Sequence, residues 1–432
     1  MHSDPIDVKH LFGSLLSQIK RLDKFFVLAG FLLIFDLLFM TRFYALANVC
    51  EALLFSLFIF HGNLRRQLLL EMKSNVAIPL FFFLLWVAVS GIWSSADLSS
   101  KILDVLDWRK MFLFPIALVI FRNNLFRVLG VSMVVSIGVL FLILGLGGLA
   151  FDTDVWSRAP HSVLQNYSAQ GFYFSVVGLV LFNLGCLSRD LSRLFRALTI
   201  CLGLVFILFV VFTSPSRGAY LGFAINMTLL CYVLFRGKFS GLVIGVAVSV
   251  FLIYASPVSQ SRLTQAVNEL SDGFSVKHLD KSAAEVDQAS GSLRMIFWLN
   301  TIDMIIANPV FGTGAAGFSD GYAALVASDV GWTALVTDDP HSQYLHIAAE
   351  YGLVGVLLFI WFLFSLLREA DAKTVWGICL LSVILVASSM SLIVGAFGAF
   401  IEGRIAILLM GLFLAFKRHE SPTAIHGDKE LK

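Results

Sequence analysis

The sequence predicts an all-α polytopic membrane protein with about twelve transmembrane helices and one large helical loop outside the bilayer. Three observations carry that expectation. Hydrophobic residues make up 58% of the 432 and charged residues only 14%, where soluble domains carry about 25% charged residues. Apolar runs follow one another almost end to end, parted by short polar links. One long polar stretch, residues 256–352, interrupts them.

The apolar runs fall near 25–41, 44–60, 76–93, 103–121, 128–150, 168–187, 197–213, 219–235, 240–255, 353–367, 374–394 and 398–416. A helix of about 20 apolar residues crosses the hydrocarbon core. The expected organisation is an N-terminal bundle (1–255, about nine helices), a loop with amphipathic helices (256–352), a C-terminal bundle (353–417, about three helices) and a polar tail (418–432). Residues 1–24 are polar and lead into apolar runs without a small-residue cleavage site, so no cleavable signal peptide is expected. Cys50, Cys186, Cys201, Cys231 and Cys379 all lie in apolar runs and none in the long loop. They read as small core residues, not as a disulfide framework.

Loop charges orient the bundle. One set of loops carries Lys20, Arg21, Lys24, Arg65, Arg66, Lys73, Arg122, Arg127, Arg189, Arg193, Arg196, Arg236, Lys238, Arg368, Lys373, Lys417 and Arg418. The alternate loops carry far fewer cations. Positive charge favours the cytoplasmic side, so both termini are expected there and the long loop outside, in the periplasm of a Gram-negative cell. The net charge of +2, with no basic cluster among aromatics, gives no reason to expect a nucleic-acid partner.

The long loop holds Arg262, Lys277, Lys281 and Arg294 against eleven carboxylates, so it is no general anion-attracting surface. Phosphate recognition there would fall to individual arginines, whose planar fork bonds two phosphate oxygens at once. Arg217, in Thr213-Ser214-Pro215-Ser216-Arg217-Gly218, sits where one span ends and the next begins. The N-terminus of that next helix adds unpaired N–H groups and a positive dipole; the alternative is an arginine snorkelling to the interface. Arg294, in Ser292-Leu293-Arg294-Met295-Ile296-Phe297-Trp298, lies on an expected surface helix, with a surface salt bridge as its alternative. His341 follows Pro340 and opens a helical run. A histidine titrates near neutrality and can take a proton from an attacking hydroxyl; a structural turn residue is the alternative. Asp338 or Asp339 could orient that ring, or bind a divalent cation, although two adjacent aspartates are a weak metal signal.

Arg158 and His161, in Trp156-Ser157-Arg158-Ala159-Pro160-His161, and Arg109 and Lys110, after Trp108, belong to the same outer face. Each could contact a second substrate, with an ordinary polar loop or interfacial anchoring as the alternatives. Asn308-Pro309-Val310-Phe311-Gly312-Thr313-Gly314 reads as a turn after an amphipathic helix, too loose to cradle phosphate. A transporter would concentrate charges at mid-span. Asp36 is the clearest such residue; Glu51, Glu402 and Arg404 lie nearer span ends.

Four segments together carry a resemblance: Thr213-x-x-Ser216-Arg217-Gly218-Ala219, Arg294-x-x-x-Trp298, Asn308-Pro309-x-x-Gly312-x-Gly314, and Pro340-His341-Ser342-x-x-Leu345 followed by Glu350-x-Gly352. Their order and placement resemble the O-antigen ligase and polymerase superfamily, most of all its ligase branch. The resemblance implies a GT-C-like membrane glycosyltransferase of the bacterial inner membrane, with its site on the periplasmic face. It implies transfer of an O-polysaccharide from undecaprenyl pyrophosphate to lipid A-core oligosaccharide, with inversion, no cofactor and no metal. Arg217 and Arg294 would clamp the pyrophosphate, and His341 would act as base or orient the acceptor hydroxyl. Within the superfamily the alternatives are a polymerase or a protein O-oligosaccharyltransferase; outside it, a polysaccharide flippase.

Overall fold

The computed structural model describes residues 19, 22–151, 162–164, 166–188, 191–273, 290–329 and 334–419. Among these, helices are the only regular structure. Helix α1 (Lys24–Phe39) begins where the Asp23 carboxylate accepts the N–H groups of Phe25 and Phe26. Helix α2 (Tyr44–Phe60) bends by 94° into α3 (Gly62–Glu71), and α4 (Ala77–Ser90) follows. Then come α5 (Leu98–Asp107), a 3₁₀ turn (Trp108–Phe112), α6 (Leu113–Phe121), α7 (Asn124–Phe151), α8 (Tyr167–Leu187), α9 (Arg193–Thr213), α10 (Arg217–Leu234) and α11 (Phe239–Ala255). The polar stretch supplies α12 (Pro257–Gly273), α13 (Ser290–Ala307) and α14 (Phe318–Val326). Helices α15 (Gln343–Glu369), α16 (Val375–Met390) and α17 (Phe400–His419) complete the chain.

Among the described residues, five helices are long and apolar enough to cross a membrane: α7, α8, α9, α10 and α15. The bent pairs α2–α3 and α11 with the start of α12 raise this to as many as seven. Every expected apolar run falls on helix, but not all reach the length for crossing. Helices α1 and α16 have 16 residues and α4 has 14, short of the roughly 20 that a 30 Å core requires. The run 103–121 is not one continuous α-helix: its first part belongs to the amphipathic α5, and the chain passes through the 3₁₀ turn before α6 begins. The outer residues of α5 are apolar and exposed, among them Leu98 and Leu103, while Asp104 reaches inward to bond the Ala316 N–H and the Tyr351 hydroxyl.

Helix α8 is the central pillar. Its apolar stretch is 83% buried inside the protein, against 33% for α9, which leaves α9 facing lipid. Small residues bring these two helices together: a Cβ on Gly203 would lie 2.7 Å from the Gly178 carbonyl oxygen. Membrane helices associate by such close packing, since lipid provides no hydrophobic drive between them.

The two ends of the bundle differ in charge. At one end, buried Glu71 pairs with Arg122 at 2.5 Å and Arg418 at 2.8 Å, and Glu369 lies 3.7 Å from Lys417. These cations come from the loops whose charge predicts a cytoplasmic position. Helix α15 leads away from that end over 27 residues, roughly 40 Å at 1.5 Å per residue, to the turn that carries His341.

Helix α15 is broken at Gly352, whose φ of 65° lies in the left-handed region. The turn after α13 lies across the break. Thr313 donates to the Ala349 carbonyl at 2.9 Å, Gly314 to that of Glu350 at 2.8 Å, and Leu353 to that of Pro309 at 2.9 Å. A Cβ on Gly352 would come within 2.1 Å of the Val310 carbonyl oxygen, and one on Gly312 within 2.3 Å of the Glu350 carbonyl oxygen. Only glycine fits at either place. The motifs Asn308-Pro309-x-x-Gly312-x-Gly314 and Glu350-x-Gly352 are therefore two halves of one backbone lock.

Candidate functional site

The site is built around the turn that precedes α15. Pro340 keeps residue 339 out of helix, and the turn closes on its own polar groups. Thr337 Oγ1 donates to the Asp339 carbonyl at 2.8 Å, and the Asp339 carboxylate accepts the His341 N–H at 2.7 Å. Its other oxygen lies 3.5 Å from His341 Nδ1. His341 has φ of 55°, a left-handed conformation unusual outside glycine. Such backbone persists where the surroundings hold it, and it gathers at functional sites. The imidazole is 44% exposed. Burial alone would raise the Asp339 carboxyl; the His341 hydrogen bond and the charges of His346 and His341 outweigh it and hold the group below the usual carboxylate range. Asp339 thus stands where the sequence places a ring-orienting acid. Asp338 is exposed. Among the described residues no three His, Cys, Asp or Glu side chains gather as a metal site.

Helix α13 approaches the turn from above. Trp298 Nε1 donates to the Pro340 carbonyl at 2.9 Å, and the Phe297 and His341 rings lie 6.3 Å apart. Arg294 stands three and four positions before these aromatics, which puts it on the same face of α13. It is half-buried. The motif Arg294-x-x-x-Trp298 is therefore one helical turn, its tryptophan anchored on the His341 turn.

Arg217 is the first residue of α10. Ser216 caps that helix by accepting the Ala219 N–H at 3.4 Å. The first-turn N–H groups and the helix dipole make this end a natural anion site. Gly218 brings it close to its neighbours: a Cβ there would lie 3.2 Å from Met390 Cε. The residue after Met390, Ser391, accepts the Gln343 N–H at 2.8 Å. The start of α10 and the segment after His341 thus both meet the stretch around Met390 and Ser391.

Lys110 and Arg109 occupy different surroundings. Lys110 is buried, and its ammonium donates to the Gly398 carbonyl and, at 3.3 Å, to that of Ala399. Arg109 donates to Asn48 Oδ1 at 3.1 Å and lies 3.3 Å from Glu51. Its partner network continues inward to Arg404, which is 1% exposed, pairs with Glu51, lies 3.3 Å from Asp36 and packs 4.1 Å from the Phe400 ring centroid. Asp36, the charge that would fit transport, is closed within this network. Arg158 and His161 lie outside the described residues.

Sequence reading missed a second group of side chains beside the turn. His346 lies 3.4 Å from Glu350, whose carboxylate accepts the Phe318 N–H at the start of α14. Next to it Asp104 accepts the Tyr351 hydroxyl at 2.7 Å, and Tyr351 Oη in turn accepts from Trp108 Nε1. Burial, reinforced by the charge of Glu350, pushes the Asp104 carboxyl up from its ordinary value. His346 and Glu350 stand four positions apart on one helix, but no local signal joins them to Asp104 and Trp108, because Asp104 bonds Tyr351 across 247 residues.

A family model described as O-Antigen ligase matches residues 202–360. Arg217, Arg294, His341 and both halves of the backbone lock fall inside the matched stretch. No curated protein matches the chain.

Proposed function

We propose, on the premise that this chain belongs to the O-antigen ligase/polymerase superfamily, that it is the ligase of that group. It would transfer O-polysaccharide from undecaprenyl pyrophosphate to lipid A-core oligosaccharide on the periplasmic side of the inner membrane, with both termini cytoplasmic. The bundle would cross the bilayer about twelve times with a GT-C-like arrangement, the shorter helices making up the length by their flanking residues.

One observation carries this reading. The half-exposed His341 turn, the Trp298 anchor of the Arg294 helix and the N-terminus of the Arg217 helix gather at one end of the bundle, within the family-matched stretch. The chemistry follows from those groups. The acceptor hydroxyl loses its proton to His341, and the new bond forms from oxygen to the anomeric carbon. The bond from that carbon to the phosphate oxygen breaks on the opposite face, so the configuration inverts. The departing pyrophosphate carries the electron pair, and Arg217 and Arg294 neutralise it. Asp339 steadies the imidazolium. Two fixed guanidinium groups supply the positive charge, so no metal is required.

Deleting the gene tests the substrate assignment. The expected result is core lipid bare of polymer while long lipid-linked polymer accumulates. Core carrying a single repeat would mean a polymerase, and unchanged lipopolysaccharide would sink both readings.

A further inference from the structure

We propose that Gln343 is a positioning residue for His341, anchored to the bundle through Gly398 and Lys110. The inference rests on the transferase reading above. Gln343 is 2% exposed although polar, and it sits two residues beyond His341. Its N–H donates to the Ser391 carbonyl at 2.8 Å, and its amide oxygen accepts the Gly398 N–H at 2.5 Å. A Cβ on Gly398 would lie 2.9 Å from that oxygen, so a bare backbone is what allows the approach. From the other side, the buried Lys110 ammonium holds the Gly398 and Ala399 carbonyls.

The anchored segment, residues 391–399, does two things. It grips the His341 turn through Gln343, and the residue before it, Met390, packs against Gly218 beside Arg217. One rigid piece therefore sets the spacing between the proton acceptor and the pyrophosphate end of α10. A left-handed histidine needs such external support, and Gln343 ties the residues just after it to the bundle. The charged groups around the turn are Asp338, Asp339, His346 and Glu350 on its own segment, Asp104 on α5, Lys110 from the 3₁₀ turn and Arg294 on α13; residues 391–399 carry no charge.

Two substitutions separate positioning from mere packing. Gln343→Glu keeps an oxygen for the Gly398 N–H and adds a negative charge. That oxygen and Asp339 Oδ2 flank Gly395, 3.7 Å and 3.6 Å from a Cβ built there. The His341 titration, read by NMR of labelled imidazoles and assigned with His341→Gln, is expected to rise by about half to one pH unit. Gln343→Leu removes the acceptor and should lower single-turnover transfer by about 10²-fold with donor affinity kept, as expected for a misplacement near 1 Å. Lys110→Met should lower turnover in the same way by roughly tenfold. Normal turnover in Gln343→Leu, or an unmoved His341 titration in Gln343→Glu, overturns the proposal. Should Gln343→Leu fail to fold, the other two variants decide. The NMR titration needs no turnover, so a wrong transferase reading and a wrong positioning role give different results.

Discussion

Two groups of charges lie toward the His341 end of this bundle, and they are built in opposite ways. Arg404, Asp36, Glu51 and Arg109 form a network whose centre is sealed: Arg404 is 1% and Asp36 0% exposed. Positive and negative groups balance one for one. The His341 site is half open, its imidazole 44% exposed, with Arg217 opening α10 and Arg294 on a separate helix, α13. Opposite charges closed in on one another inside the protein hold helices together. Charges arranged around an open space await a partner from outside. The contrast assigns the first group to structure and the second to chemistry, and each assignment can be broken by experiment.

The largest effect should come from the closed group. Arg404→Met leaves Asp36 and Glu51 buried without their shared cation. Breaking a buried pair from one side costs about 3–5 kcal/mol, enough to remove most of the folded protein. Yield and thermal unfolding in detergent measure it; a stable, active Arg404→Met protein would contradict the structural assignment.

The open group should behave the other way. Arg217→Ala and Arg294→Ala are expected to keep the fold and to lose transfer by about 10²–10³-fold each, the usual effect of removing one electrostatic donor from a transition state. Lysine at either position should rescue poorly, because it lacks the two-pronged geometry. Near-normal activity of either alanine variant in reconstituted membranes removes that arginine from the mechanism. The same assay run in EDTA should show no loss. Loss that Mg²⁺ restores would move Asp338 and Asp339 from orienting acids to metal ligands.

A smaller effect concerns Asp339. Its carboxyl is held below the ordinary range by the His341 hydrogen bond and the neighbouring imidazoles, against the opposing effect of burial. A depressed native pKa contributes stability that is full above the unfolded value, near 3.9, and fades as pH falls through the lower native value. The Tm of wild type should therefore exceed that of Asp339→Asn at neutral pH, and the gap should close below about pH 4. A gap that persists unchanged at low pH would mean that Asp339 acts through shape alone.

Much of the helical pattern was legible in the sequence, because apolar runs of helix length leave few alternatives. The break near residue 108 was not. Asp104 and Trp108 lie in a run apolar enough to pass as one span, and what divides it is their attachment to Tyr351, more than 240 residues away. The three principal candidates drew notice for local reasons: Arg217 at a helix start, His341 beside a proline, and Arg294 as a lone cation in an apolar patch of the long loop. The roles of Lys110 and Arg109 were hidden for the opposite reason. As charges beside a tryptophan they read as interfacial, while Lys110 meets its carbonyl partners 288 and 289 positions away. The glycine motifs were visible as patterns, yet their backbone lock emerges only when the two halves meet.

The most direct test of the open site is His341→Ala, with donor binding and single-turnover transfer measured separately on reconstituted protein. A general base contributes about 10²–10⁴-fold in rate. The expected result is a loss of that order in transfer of bound donor, with donor affinity unchanged. If donor binding collapses while bound donor reacts at the normal rate, His341 is a pyrophosphate ligand. If both survive, it is a structural turn residue, and the assignment of this site as the place where the acceptor loses its proton is contradicted.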